Sequence, residues 1–182
     1  GKDWEYHEKA YLAFNKPANY ECSHKTTHHP SVYSLLPSSF VERGLQCVGR
    51  LDYDTTGLLL ISDDGQFIHK MTTPKKNIGK VYQITTPDPI TEKQILHLMN
   101  GVVLDDDPKP CFATACEQLS GNVLAMTVVE GRYHQVKRMM AAVGNHVEQL
   151  HRSQIGAYKM PLGLAPGEWR WLYPEDLKQL SQ

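Results

Sequence analysis

A chain of 182 residues, 41% apolar and 21% charged, is long enough for one domain with a real core and short for two. Lys and Arg number 19 against 20 Asp and Glu, a formal net charge of -1. That balance excludes a disordered acidic tail, a basic arm, and nucleic-acid binding by bulk charge alone, while leaving room for a basic face.

No apolar run reaches the ~18 residues of a membrane span, and the start Gly1-Lys2-Asp3-Trp4-Glu5 has no signal-peptide pattern. The chain does not begin with Met, which leaves room for a preceding segment. Cys22, Cys47, Cys111 and Cys116 show no CxxC spacing and read as reduced cytosolic thiols. His28-His29 and the other histidines lack ligand spacing, so no metal is expected and these rings read as solvated or RNA-facing.

In chain order, Tyr11–Asn15 reads as a strand stopped by Lys16-Pro17. Residues 21–31 form a polar loop, followed by a short helix over Val32–Leu36 that ends before Pro37. Gly57–Ser62 is an unbroken apolar run and predicts a buried strand. Asp63 or Asp64 then caps a helix reaching Met71. Lys80–Thr86 alternates and predicts a half-buried strand. Thr91 and Gln94 form a capping box for a helix that stops at Gly101. Val123–Glu130 predicts a strand, and Gln135–Val143 a helix with Val136, Met139 and Met140 on one face. His146–His151 and Ile155–Lys159 look extended, and Pro174 opens a last helix. The order points to an α+β domain with a mixed, mainly antiparallel sheet flanked by helices, and an active-site cleft on one face. No GxGxxG or GxxxxGK[ST] is present, so nucleotide-cofactor chemistry has no support.

Charge is segregated although the sum cancels. Lys70, Lys75, Lys76 and Lys80 fall in a stretch without acids, and Arg132, Lys137, Arg138 and Arg152 face only Glu148 between Gly131 and Arg152. From Val81 to Gln118 the acids dominate, with Asp105-Asp106-Asp107 at their centre. A basic face with an acidic back is expected, serving either RNA or solubility.

Two segments carry chemistry. In Gly49-Arg50-Leu51-Asp52-Tyr53-Asp54-Thr55-Thr56 a loop feeds the buried strand, a common place for catalysis. Asp54-Thr55-Thr56 reads as a turn bonded to its own backbone. Asp52, beside Leu51, is the carboxylate expected to face a pocket. Asp52 and Asp54 together also fit a hydrolytic pair, which the nearby basic segments disfavour. In Glu130-Gly131-Arg132-Tyr133-His134-Gln135-Val136-Lys137-Arg138-Met139 a strand passes into an amphipathic helix, whose basic start suits a phosphate or is simply solvated.

With Lys80-Val81-Tyr82 between them, these segments resemble the bacterial RsuA-type pseudouridine synthases, from Asn15-Lys16-Pro17 to Ala165-Pro166-Gly167-Glu168. Gly49-Arg50-Leu51-Asp52 with Thr56-Gly57-Leu58-Leu59 looks like the superfamily's nucleophile motif. Gly131–Met139 and Gly144-Asn145-His146-Val147 look like the branch that acts on a uridine of small-subunit (16S) rRNA. Relatives acting on large-subunit rRNA usually carry Asn-Arg where this chain has Tyr133-His134. The family normally has an N-terminal S4 RNA-binding domain, and nothing before Trp4 supplies it. Residues 1–182 are therefore expected to be the catalytic domain alone, holding RNA weakly and with strong salt dependence.

The resemblance implies isomerisation of uridine to pseudouridine without cofactor or metal. Asp52 would be the nucleophile, Tyr82 would stack on the flipped uracil and take its C5 proton, and Lys137 would pair with the aspartate, with Arg138 the competing candidate. Ile155 would pack under the target base. Arg50, Lys80, Arg132, Arg138 and Lys16 are the candidate RNA contacts, Lys16 being either structural or RNA-facing. The implied partner is ribosomal RNA or an assembling small subunit, in the cytoplasm, with no membrane and no demand for an oligomer. The alternatives are a non-catalytic rRNA-binding module and a synthase of a large-subunit uridine.

Overall fold

The computed structural model describes residues 8–182; the N-terminal pentapeptide read above lies outside them. Eleven strands and five α-helices follow in order: β1 (Tyr11–Lys16), α1 (Ser38–Arg43), β2 (Gln46–Val48), β3 (Thr56–Ser62), α2 (Gly65–Thr72), β4 (Lys80–Thr85), α3 (Glu92–Asn100), β5 (Val102–Leu104), β6 (Asp107–Cys111), β7 (Ala115–Ser120), β8 (Val123–Val128), α4 (Gln135–Ala142), β9 (Gln149–Ile155), β10 (Tyr158–Lys159), β11 (Trp169–Trp171) and α5 (Pro174–Leu180). The main sheet runs β11-β1-β3-β9-β4-β8-β7, with β2 beside β3 and β10 beside β9; β5 and β6 form a separate hairpin. Every pairing is antiparallel except β3 with β9. This is the expected α+β class with a mixed, mainly antiparallel sheet.

The unbroken apolar run of β3 has a direct cause. Leu59 and Ile61 point with Leu12 and Phe14 of β1 into a cluster under α1. Leu58 and Leu60 point the other way, with Ala13, Met71 and Leu180, under α2 and α5. This half of the sheet is covered on both faces, so the four central positions of β3, Leu58 to Ile61, are all apolar. In the other half, β8 alternates, burying Leu124, Met126 and Val128 beneath Leu98 of α3 and Met139 and Met140 of α4. Tyr82 packs at the margin of both the α1-side and the α4-side clusters, so a seam between two cores runs past its ring.

The caps fall where expected. Asp64 accepts from the backbone N–H of Gln66 and Phe67 to start α2, and the Thr91–Gln94 capping box starts α3. The short helix expected over Val32–Leu36 is a 3₁₀ turn over Val32–Leu35 that ends before Pro37 as expected, and a second helix, α1, starts at the residue after that proline. Helix α1, β2, the β5–β6 hairpin, β7 and β11 have no counterpart in the sequence reading. β6 carries Pro108 and Pro110, which a two-stranded edge tolerates, and β7 is a largely exposed edge strand without an apolar face.

The parallel β3–β9 junction is held by Gly57, paired with Arg152 at φ +113°. A Cβ on Gly57 would lie 2.3 Å from the Arg152 carbonyl oxygen. Gly57→Ala must therefore push the two strands apart and strain the backbone. A loss of about 2 kcal/mol or more in urea unfolding is expected; unchanged stability would show that the junction relaxes freely.

Candidate active site

The seam opens into a cavity of about 260 Å³ walled by the 49–55 loop, β4, β9 and the start of α4. It continues into a wider groove of about 950 Å³ reaching His28, His29, Tyr53 and Tyr133.

The loop is pinned from below by Lys16, which is 0% exposed. Its Nζ donates to the carbonyls of Pro17 (3.0 Å), Tyr53 (2.9 Å) and Thr55 (2.8 Å), which saturates its three donors. Burial lowers the Lys16 pKa, against the opposing fields of nearby acidic groups including Asp54 and Asp52. Lys16 is thus structural and does not face RNA. The Thr55 N–H donates to the Asp52 carbonyl (3.0 Å), closing a turn that presents the Asp52 side chain.

Asp52 meets a lysine ammonium and an imidazole. Its Oδ2 lies 3.0 Å from Lys137 Nζ and its Oδ1 3.2 Å from His134 Nε2. Lys137 also donates to Asp54 Oδ1 at 2.8 Å. The Asp54 carboxylate therefore reaches across to α4, where a self-bonded turn was expected. Burial alone would lower the Lys137 pKa, but its hydrogen bonds to Asp54 and Asp52 outweigh that and raise it. The ammonium that ties the loop to α4 is consequently present through neutral pH and lost only as pH rises through that elevated value. His134 occupies the N-cap of α4 in the left-handed region, φ +48°, with its ring stacked on Tyr133 at 3.8 Å. Gln135 steadies this turn by accepting from the Arg132 N–H (3.1 Å).

Tyr82 and Arg152 face each other across β4 and β9. Arg152 Nη1 lies 3.5 Å from the Tyr82 hydroxyl and Nε donates to the Leu58 carbonyl (2.9 Å). Lys80, two residues before Tyr82, lines the same cavity, and Arg50 stands exposed at its mouth.

Other candidates sit elsewhere. Arg138 pairs with Asp106 and donates to the Tyr133 carbonyl, outside the cavity wall. Arg132 lines the cavity, but its guanidinium is engaged by Glu130 (2.8 Å), the Lys109 carbonyl (3.1 Å) and Asp107 (3.7 Å). The acids at 106–107 are therefore not on a remote back: the β5–β6 turn folds them onto the arginines and neutralises part of the expected basic face. Ile155 is buried with Leu58, Leu60 and Met71, past the register shift opposite Val81/Tyr82. It does not line the cavity, whose apolar surface comes from Leu51, Val128, Val136 and Leu150.

Two residues of the site had no role assigned from sequence. His134 lies three residues before Lys137, a spacing that puts both on one side of a helix start. Arg152 follows Leu150 on the same face of β9, so a charge at an inward strand position was the available signal. Among the described residues, no group of three or more His, Cys, Asp or Glu could hold a metal ion, and no helix is long and apolar enough to cross a membrane.

The family model for RNA pseudouridylate synthase matches residues 10–142. The chain is 40% identical to "Ribosomal small subunit pseudouridine synthase A" of Escherichia coli K12 over 171 residues, covering 94% of this chain and 74% of the relative. It is likewise 40% identical to the protein of that name from Vibrio parahaemolyticus, covering 92% and 72%. A crystal structure of a pseudouridylate synthase superposes with a TM-score of 0.89 at 38% identity, over 95% of this chain and 74% of that one. An H/ACA RNP structure shares the fold at 14% identity with a TM-score of 0.60.

Proposed function

The chain belongs to the RNA pseudouridylate synthase family and is an RNA pseudouridine synthase, and we propose that it isomerises a uridine of small-subunit (16S) rRNA with Asp52 as nucleophile. The small-subunit assignment draws on the names of relatives 40% identical over nearly the whole chain. One observation carries the chemical assignment: Asp52 is held by Lys137 at 3.0 Å and by His134 at 3.2 Å, in the cavity whose wall carries Tyr82.

The reaction breaks the C1′–N1 bond of uridine, turns the base and joins C5 to C1′. Asp52 supplies the negative charge that answers electron deficiency at C1′. Lys137 and His134 fix the carboxylate in place, so little reorganisation is needed as that charge develops. The Tyr82 ring offers a face on which a flipped uracil stacks, offsetting the few kcal/mol of unstacking, and its hydroxyl is the acceptor for the C5 proton. Arg50, exposed at the mouth without a hydrogen bond or ion pair among the described residues, is placed for a backbone phosphate, and Lys80 for the nucleotide inside.

Chemical mapping of pseudouridine on small-subunit rRNA tests this reading. A single new site after incubation with the protein is expected. New sites only on large-subunit rRNA, or on neither, would contradict the substrate assignment.

A further inference from the structure

The floor of the reaction cavity carries positive charge that nothing around it neutralises. Arg152 is 5% exposed, and its Nη2 is buried without a hydrogen-bond partner. Lys80 lies on the same face, and its Nζ makes no hydrogen bond or ion pair among the described residues. Burial and the neighbouring Arg152 charge both act to lower the Lys80 pKa, so the two cations are close enough to feel each other. The cavity's carboxylates are engaged elsewhere, Asp52 by Lys137 and His134, Glu130 by Arg132. Leaving a hydrogen bond unmade on a buried charged group is costly, and such a group is sustained where a ligand completes it.

The position selects the ligand atom. A phosphate is strongly hydrated and meets Arg50 at the exposed mouth. A nucleoside entering base first brings the uracil, not the phosphate, to the floor beside the Tyr82 hydroxyl. We propose that Arg152 and Lys80 receive a carbonyl oxygen of the uracil and stabilise the negative charge the base carries once it has left the ribose. The inference rests on the isomerase reading above.

The electrons balance without a co-reactant. Breaking C1′–N1 leaves the bonding pair on the base, where it spreads from N1 to the carbonyl oxygens, and leaves C1′ electron-deficient against Asp52. C5 then attacks C1′ with that electron density, giving a neutral ring that still carries the C5 proton. Tyr82 takes this proton at its hydroxyl oxygen as its own hydroxyl proton passes to water, and water protonates N1, which completes the neutral isomer. Preorganised donors at a developing oxyanion are the kind of group whose removal slows a reaction most.

Single-turnover kinetics on an rRNA fragment with uridine or 5-fluorouridine at the target tests the inference, with loss of the original nucleoside as readout. Fluorine makes the departing base more acidic and removes the C5 proton, so this substrate reports bond cleavage with a better leaving group. Arg152→Met and Lys80→Met should each slow cleavage of uridine by ~100-fold and of 5-fluorouridine by ~10-fold or less. The RNA Kd should move by less than ~3-fold, and Arg152→Lys should recover part of the rate. Equal slowing of both nucleosides would overturn the inference. So would a loss confined to RNA affinity, which would make the floor a phosphate site. Should Arg152→Met not fold, Lys80→Met carries the test. A wild-type protein that converts neither substrate would refute the isomerase reading itself, a result distinct from equal slowing in the variants.

Discussion

Asp52→Asn is expected to abolish pseudouridine formation while leaving a folded protein that still holds RNA. The substitution keeps shape and volume and removes only the charge that answers C1′. Removing a residue at the centre of a reacting group costs on the order of 10⁴-fold or more in kcat. The effect on stability should be small. The Asp52 side chain is 31% exposed, Lys137 keeps its 2.8 Å partner Asp54, and partly exposed ion pairs contribute ~1 kcal/mol or less. RNA affinity should hold or rise, since the variant removes a negative charge from a site meant for a polyanion. Rates and Kd measured on the same preparation check this. Full activity in Asp52→Asn would remove the aspartate from the mechanism.

The second large effect belongs to Lys137. Lys137→Met leaves two carboxylates, Asp52 and Asp54, without the ammonium that joins them to α4. Their repulsion should open the loop away from the helix and misplace the nucleophile. A fall of about 10²-fold or more in kcat is expected. Arg138→Met should cost far less. Although Arg138 is the adjacent residue, ~100° further round the helix, it is turned toward Asp106 and the Tyr133 carbonyl. Single-turnover rates of both variants on the same rRNA check the assignment. The reverse ranking, with Arg138→Met inactive and Lys137→Met unaffected, would show that the wrong basic residue had been chosen.

Much of the fold was legible in the sequence because its signals are local. The unbroken run of β3, the alternation of β8, the Asp64 cap and the Thr91–Gln94 capping box each follow from the residues that carry them. The elements without such signals are edges. β6 contains two prolines, β7 has no apolar face, and β11 is three residues long. Their places depend on the strands and loops they meet rather than on their own composition.

The site divides along the same line. That Asp52 and Lys137 approach each other was suggested by motif resemblance, and the contact itself joins residues 85 positions apart, at 3.0 Å. The status of Lys16 could not be read from Lys-Pro, since an exposed and a buried lysine are written alike. Only the ring of carbonyls from Pro17, Tyr53 and Thr55 makes it structural. Charge patterning misled for a related reason. Asp105–Asp107 are far in sequence from Arg132 and Arg138, and the hairpin turn that brings them together leaves the net charge unchanged while altering the surface. Arg152 is the reverse case: a charge that sequence counting placed on a basic face is buried under Tyr82.

Tritium release from small-subunit rRNA labelled at C5 of uridine separates isomerisation through Asp52 from hydrolysis, with wild-type protein and Asp52→Asn run side by side and free uracil assayed in the same samples. The wild type should release tritium in step with pseudouridine formation and produce no free uracil, while Asp52→Asn should release none. Free uracil would show hydrolysis in place of isomerisation. Equal release from both proteins would contradict the assignment of Asp52 as nucleophile.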